Sequence, residues 1–211
     1  MFPLIRAGAV SLGLALLGGC AAIGTLNQAS QSLPTFDLTA AAVPPAAGPG
    51  RSTRVLLVAS PTASTAIATD RIVIKPNALQ VAYLPDGRWI ESAPVHVQAL
   101  LVRSIANSGA VGFVGGDAAG PVPDFVLLTD LQTFQAELGP DGKPTRIAVR
   151  MTLTLVRDLD RRLVATRVFE ASAPISSTQA LPVAVAFDSA MRGILAEATR
   201  WTVGAMGGRI S

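Results

Sequence analysis

Cys20 offers the most distinctive chemistry in the sequence, as the only cysteine of the 211 residues. It stands directly after Leu17-Gly18-Gly19, where an apolar stretch from Ala7 to Leu17 ends, and a single positive side chain, Arg6, precedes that stretch. A basic start, a short apolar core and small residues before a cut form the layout of a secretory signal. The core has 11 residues, whereas a helix needs roughly 20 to cross a bilayer. The segment therefore fits a cleavable signal better than a permanent span. Gly18 and Gly19 let a peptidase approach the backbone before Cys20, whose thiol can carry a diacylglyceryl group. The expected product begins at Cys20 and is held at a membrane by its acyl chains, each buried CH₂ contributing about 0.8 kcal/mol. An uncleaved anchor and an ordinary signal with a chance cysteine are the rival readings. The lone cysteine falling where the apolar run ends favours lipidation.

The four residues Leu17-Gly18-Gly19-Cys20 resemble a bacterial lipobox, with Leu17 at the apolar position and Gly19 at the small one. Ala21, with no Asp in its place, resembles the pattern sorted to the outer membrane. A covalent lipid at Cys20, palmitate among its acyl chains, is the only prosthetic group this implies; no cofactor and no metal site is expected.

Beyond Cys20 no catalytic constellation forms. His96 is the only histidine, so multi-histidine metal sites are excluded and a triad would need His96 to meet a serine and a carboxylate through the fold. Its place in a first helical turn suits a packed or capping residue. Asp158 and Asp160 flank Leu159 beside Arg157, Arg161 and Arg162. Paired carboxylates work as acid and base only when enclosed, and a charged turn is ordinarily a solvated tip. Gly112 to Gly120 lacks the Lys-Ser/Thr of a phosphate loop, so no ATPase site is expected. Asp70-Arg71 reads as a strand-entry turn or a partner-facing pair. Tyr83 and Trp89 are candidates for contact with a partner or lipid, because amphipathic aromatics suit interfaces; core packing is the competing role for Trp89. The chain is expected not to be an enzyme.

Cleavage before Cys20 takes 19 of the 211 residues and leaves 192, enough for one domain and a tether. Without Arg6 there are 16 basic against 14 acidic residues, a net charge near +2. The arginines are scattered singly, which excludes a nucleic-acid surface. One cysteine excludes an intrachain disulfide. No later apolar run reaches the length of a span. The low charge content hints at a homo-oligomer or a lipid-facing groove, with Ala/Val-rich composition as the plain alternative.

These residues need elements to hold them. Residues 20–34 are small and polar and read as a flexible tether, and 206–211 as a mobile tail, with the domain at 35–205. Thr35 to Leu38 suits a short edge strand, and the Pro/Gly-rich 41–52 an exposed loop. Arg54 to Ala59 is a nearly continuous apolar run, the mark of a central strand. Thr62 to Thr69 reads as a loop, 70–75 as a strand ended by Pro76, 79–83 as its hairpin partner, and Pro85-Asp86-Gly87 as a turn before Arg88-Trp89. From Pro94 to Asn107 the period becomes helical, with Val95, Ala99, Val102 and Ala106 on one stripe and Leu101 and Ile105 widening it. Val111 to Val114 suits a short strand.

Asp124 to Leu138 changes the parity of its bulky residues, so a bulge near Thr133 is expected. Ile147, Val149, Met151, Leu153 and Leu155 alternate cleanly with polar residues, and 163–171 completes an antiparallel meander. A last helix over 179–203, capped by Ser177 or Thr178, carries Ala184, Phe187, Met191, Leu195 and Ala198 as its apolar stripe and ends near Trp201. The expected fold is α+β, a mainly antiparallel β-sheet with two amphipathic helices packed on one face.

In that order these patches resemble the ABC-type transport auxiliary lipoproteins, the group that includes paraquat-inducible protein C. The residues that carry the resemblance are Cys20, Arg54 to Ala59, Asp70-Arg71-Ile72-Val73, Leu79 to Tyr83, Arg88-Trp89-Ile90-Glu91-Ser92-Ala93-Pro94, Asp124-Phe125-Val126-Leu127, Leu131-Gln132-Thr133-Phe134 and the helix ending at Trp201. The longer link Leu84-Pro85-Asp86-Gly87 before Trp89 departs from the pattern. The resemblance implies a lipid-anchored periplasmic auxiliary component at the outer membrane. Its partners would be a mammalian-cell-entry type substrate-binding protein with its ABC permease and ATPase, which move lipids or other hydrophobic molecules between membranes. The chain would act by docking and positioning. A periplasmic lipoprotein that binds lipid or a small hydrophobic ligand itself is the alternative.

Overall fold

The computed structural model describes residues 32–44, 52–116 and 120–207, so the reading of Cys20, and with it most of the tether, lies outside the described residues. The chain divides into two units, Met1–Leu33 and Pro34–Ser211, and the fold below is that of the second. In chain order it runs β1 (Thr35–Phe36), β2 (Val55–Val58), β3 (Thr62–Ala63), β4 (Arg71–Lys75), β5 (Ala82–Trp89), α1 (Ala93–Asn107), β6 (Phe113–Gly115), β7 (Phe125–Leu138), β8 (Pro144–Arg157), β9 (Arg162–Pro174) and α2 (Ala180–Ala205). This is an α+β fold on a mixed, mostly antiparallel sheet.

β7 is the spine of that sheet. Along one edge it pairs antiparallel with β8, which pairs antiparallel with β9, in ladders running nearly their full lengths. Three short strands share its other edge, all parallel to it: β2 at Phe125 to Leu127, β3 at Asp130 and Leu131, and β4 at Ala136 and Glu137. β6 then joins β2, β5 joins β4, and β1 joins β5. The parity change in β7 is absorbed by a register shift between Leu131 and Thr133. It lets Leu127, Leu131, Phe134 and Ala136 enter the same core as Ile147 to Leu155 of β8. Thr62 and Ala63, expected in a loop, pair with β7.

In α2 the expected stripe is the buried one: Ala184, Phe187, Met191, Leu195 and Ala198 are all within the core. In α1 it is not. Val97, Leu100, Leu101, Ser104 and Ile105 are buried, together with His96, while Val95 is 44% exposed and Ala106 is exposed. The buried face is offset by two residues from the expected one, about 200° around the helix. The cause is the segment after β1, which brings acceptors and donors for the polar members of the true face. Leu38 N–H and Asp37 reach His96, and Ala41 N–H donates to Ser104 Oγ at 3.0 Å. A second difference concerns Pro85-Asp86-Gly87. These residues form no turn between elements but a detour within β5, where Val73 faces Tyr83 and Arg71 faces Arg88.

Candidate functional site

The residues nominated by the sequence fall into three places. Trp89 is a core residue, 1% exposed, packed edge-on against Phe187 (centroids 5.1 Å apart) and beside Phe134 and His96. Its contact with a partner or lipid is replaced by a structural role, because β5 turns this side chain inward under both helices. Tyr83 is half-buried; its hydroxyl donates to Ala66 O at 3.4 Å and its ring lies under the Arg71 guanidinium at 4.9 Å. Met206, which the sequence places in the tail, is 4% exposed and its N–H donates to Thr202 O.

His96 is 1% exposed, with Nε2 at 2.7 Å from Asp37 Oδ1. With the Nε2 proton directed to that carboxylate, Leu38 N–H is served by the same Oδ1 at 2.8 Å. A nucleophile would have to stand on the other ring nitrogen, and buried Nδ1 has no partner. The histidine fastens the segment after β1 to α1 through Asp37. Among the described residues no group of three or more His, Cys, Asp or Glu side chains could hold a metal ion, and no helix is long and apolar enough to cross a membrane.

Asp158 and Asp160 sit in the β8–β9 turn as expected for a solvated tip. Arg157 holds Asp160 through two bonds of 3.0 and 3.1 Å, and Arg161 lies 3.6 Å from Asp158. The hydrogen bond from Arg157 lowers the Asp160 pKa below the usual aspartate value. Each of these carboxylates is engaged by its own arginine.

What the sequence did not nominate is the cleft beside this turn. It has a volume of about 740 Å³, and its walls include Arg54, Val122, Phe125 and Leu159. Asp124 fixes it: its carboxylate accepts Val55 N–H at 2.7 Å, its N–H donates to Val55 O at 2.9 Å, and its carbonyl accepts Asp158 N–H at 2.9 Å. Arg54 lies over the Phe125 ring at 5.7 Å. The signals were present in the sequence as anomalies: an aliphatic Leu159 among five charged residues, and Val122 between two prolines.

The outer face of the meander is a second surface. Glu137 accepts from Arg146 at 2.8 Å and from Gln135 at 3.0 Å, and Arg150 joins Gln132 to Glu170 across three strands. Burial opposes ionisation of Glu137, but the bonds from Gln135 and Arg146 and the charges of Arg146 and Lys75 prevail and lower its pKa below the usual glutamate value. Nearer the turn the same face carries Leu128, Thr154 and Thr166 in one row, and Asp130, Thr152 and Val168 in the next.

Comparison with known proteins covers nearly all of this unit. The family model described as ABC-type transport auxiliary lipoprotein component matches residues 36–199. An uncharacterized protein of Bradyrhizobium diazoefficiens is 29% identical over 171 residues, which is 80% of this chain and 44% of that protein. The chain thus spans less than half the length of that relative. The crystal structure of protein XCC0632 from Xanthomonas campestris, described under the family model DUF330, superposes with a TM-score of 0.73 at 26% identity. The match covers 82% of this chain and 96% of that one. A crystal structure of an uncharacterized protein gives 0.61 at 13% identity over 82% of this chain and 99% of its own, a likeness of fold alone.

Proposed function

The chain belongs to the ABC-type transport auxiliary lipoprotein component family, and from that premise we propose that it is a lipid-anchored periplasmic subunit of a transporter that moves lipids or other hydrophobic molecules between membranes. In this reading Cys20 carries the acyl chains and holds the chain on the periplasmic face of the outer membrane, residues 20–34 give reach, and the domain from 35 to 205 docks a substrate-binding protein of the mammalian-cell-entry type. That partner works with an ABC permease and ATPase, and this chain contributes position, not catalysis. A homo-oligomer is compatible with the same role.

The observation that carries the reading is the extent of the family match, 36–199, which takes in β2 to β9, all of α1 and α2 as far as Thr199. The surface supports it. In this reading both helices cover one face of the sheet, and on the other face the neutral row Leu128, Thr154 and Thr166, with Val168 beside it, meets the partner. Few charges need be desolvated there, as in the core of a protein interface.

The test is photocrosslinking from Thr166 and Val168 in the native membrane-bound chain, followed by identification of the attached protein. A crosslink to the mammalian-cell-entry type protein of the same host is expected, with co-purification of the permease and ATPase. A chain that carries none of the three out of its own membrane is not a subunit of that system.

A further inference from the structure

At the end of the sheet where β7 begins, four large apolar side chains stand in solvent: Leu159 is 93% exposed, Val122 85%, Leu163 60% and Phe113 40%. They share one surface. Val122 and Leu159 border the same cleft, Phe113 lies beside Val55, to which Asp124 is bonded, and Leu163 faces Val156 one step from the turn that holds Leu159. Aliphatic side chains held at the crests of two adjacent loops add nothing to the core. They lower their free energy only by entering an apolar phase.

The charges around them select the phase. Asp158 and Asp160 are engaged by Arg161 and Arg157, and Asp124 is engaged by the Val55 N–H. Arg54 and Arg162 have no acidic partner among the described residues. With Arg54, Arg157, Arg161 and Arg162 set against Asp124, Asp158 and Asp160, these side chains sum to a net charge of +1. Aliphatic crests ringed by arginines, whose stems can lie along apolar surface while their heads stay wet, match the layer where acyl chains meet anionic headgroups.

We propose that this end of the domain docks on an anionic phospholipid bilayer, with Leu159 and Val122 among the acyl chains and Arg54 and Arg162 on the lipid phosphates. The proposal rests on the lipid-anchored part of the reading above and not on the transporter. The tether from residue 20 to residue 33 extends at most about 50 Å, which leaves either end of the domain free to turn toward the surface. Docking at this end would fix the orientation in which the outer face of the sheet is offered to a partner.

The test uses the full lipidated chain, in which the Cys20 thiol is blocked by its own lipid. One reactive cysteine is introduced as Leu159→Cys, Val122→Cys or, as control, Leu79→Cys. Leu79 is 94% exposed in the loop after β4, at the end of the sheet where β7 finishes. Each variant is labelled with an environment-sensitive fluorophore and reconstituted in phosphatidylcholine vesicles with or without phosphatidylglycerol. Positions 159 and 122 are expected to shift to the blue and escape quenching by aqueous iodide when phosphatidylglycerol is present, and Arg162→Glu is expected to remove most of that shift. The label at 79 stays quenchable. If all three positions are equally quenchable in both vesicles, the proposal fails. Shielding that arises only when a mammalian-cell-entry type protein is added makes the surface a protein interface and also overturns it. Failure of the lipid anchor itself is distinguishable, because every variant, the control included, would then leave the vesicles.

Discussion

The buried imidazole of His96 meets the Asp37 carboxylate at 2.7 Å and so fastens the strand-exit segment of β1 onto α1. The same segment then crosses to α2, where Thr39 gives its N–H and its hydroxyl to Asp188 at 2.8 and 2.6 Å. It returns to α1 through Ala41 and Ser104, and Leu38, Ala41 and Val43 are buried beneath it. His96→Ala is expected to cost about 1.5–3 kcal/mol, the range for a hydrogen bond to a charged group. Denaturant unfolding gives the loss, and hydrogen exchange should show it first at the Leu38 and Thr39 amides. Unchanged exchange there would mean that the apolar residues alone hold the strap.

The detour in β5 makes an equally specific prediction. Asp86 Oδ2 accepts the N–H of Ala180 at 2.9 Å, so the first turn of α2 is capped from a strand 94 residues earlier. Ser177, expected to cap, bonds Gln179 N–H at 3.1 Å, and Gln179 itself stands at the N-cap without a side-chain bond. Asp86→Ala should cost about 0.5–2 kcal/mol, the usual range for a lost cap. Gly87→Ala should cost more, since its Cβ would lie 2.5 Å from Ala180 Cβ and 2.6 Å from Phe36. If equilibrium unfolding gives the two variants the same stability, the close approach is relieved by a shift of α2.

The two helices show why one face was legible in the sequence and the other was not. The buried face of α2 reads from Ala184 to Ala198 as apolar residues at helical spacing, so the pattern and the packing coincide. In α1 the buried face contains His96 and Ser104, whose Nε2 and Oγ find their partners in residues 37–41. No local pattern announces partners nearly 60 residues away. The outward residues Val95 and Ala106 then look like the core. The meander was legible because strict alternation in β8 leaves one face to bury. The three short strands along β7 were not, since Thr62 and Ala63 take their pairing entirely from their neighbour. At the surface, Leu159 was passed over because its charged neighbours dominate the turn.

The ion pair at Glu137 predicts a pH dependence. Its carboxyl is 27% exposed and its pKa lies below the usual glutamate value. A carboxylate whose pKa is lower in the folded than in the unfolded chain contributes its stability above the unfolded value, about 4.3. That contribution is lost as pH falls through the folded value. Glu137→Gln should therefore be less stable than the parent at neutral pH and converge with it in acid. Parallel unfolding curves across pH 3 to 7 test this, and a constant gap would assign the effect to packing.

Cys20 sets the last prediction, which concerns attachment and not folding. Residues 34 onward form their own compact unit, and the described core draws on no residue before Phe36. Cys20→Ser should accordingly leave unfolding of the domain unchanged while removing the site for the diacylglyceryl group, and hence the acyl chains that hold the chain at a membrane. The expected outcome is transfer of the chain from the membrane fraction to the soluble periplasmic extract, with its circular dichroism preserved. Retention in the membrane through an intact 1–19 segment would instead identify that segment as an uncleaved anchor. The two results separate by mass as well, because only the anchor reading keeps all 211 residues.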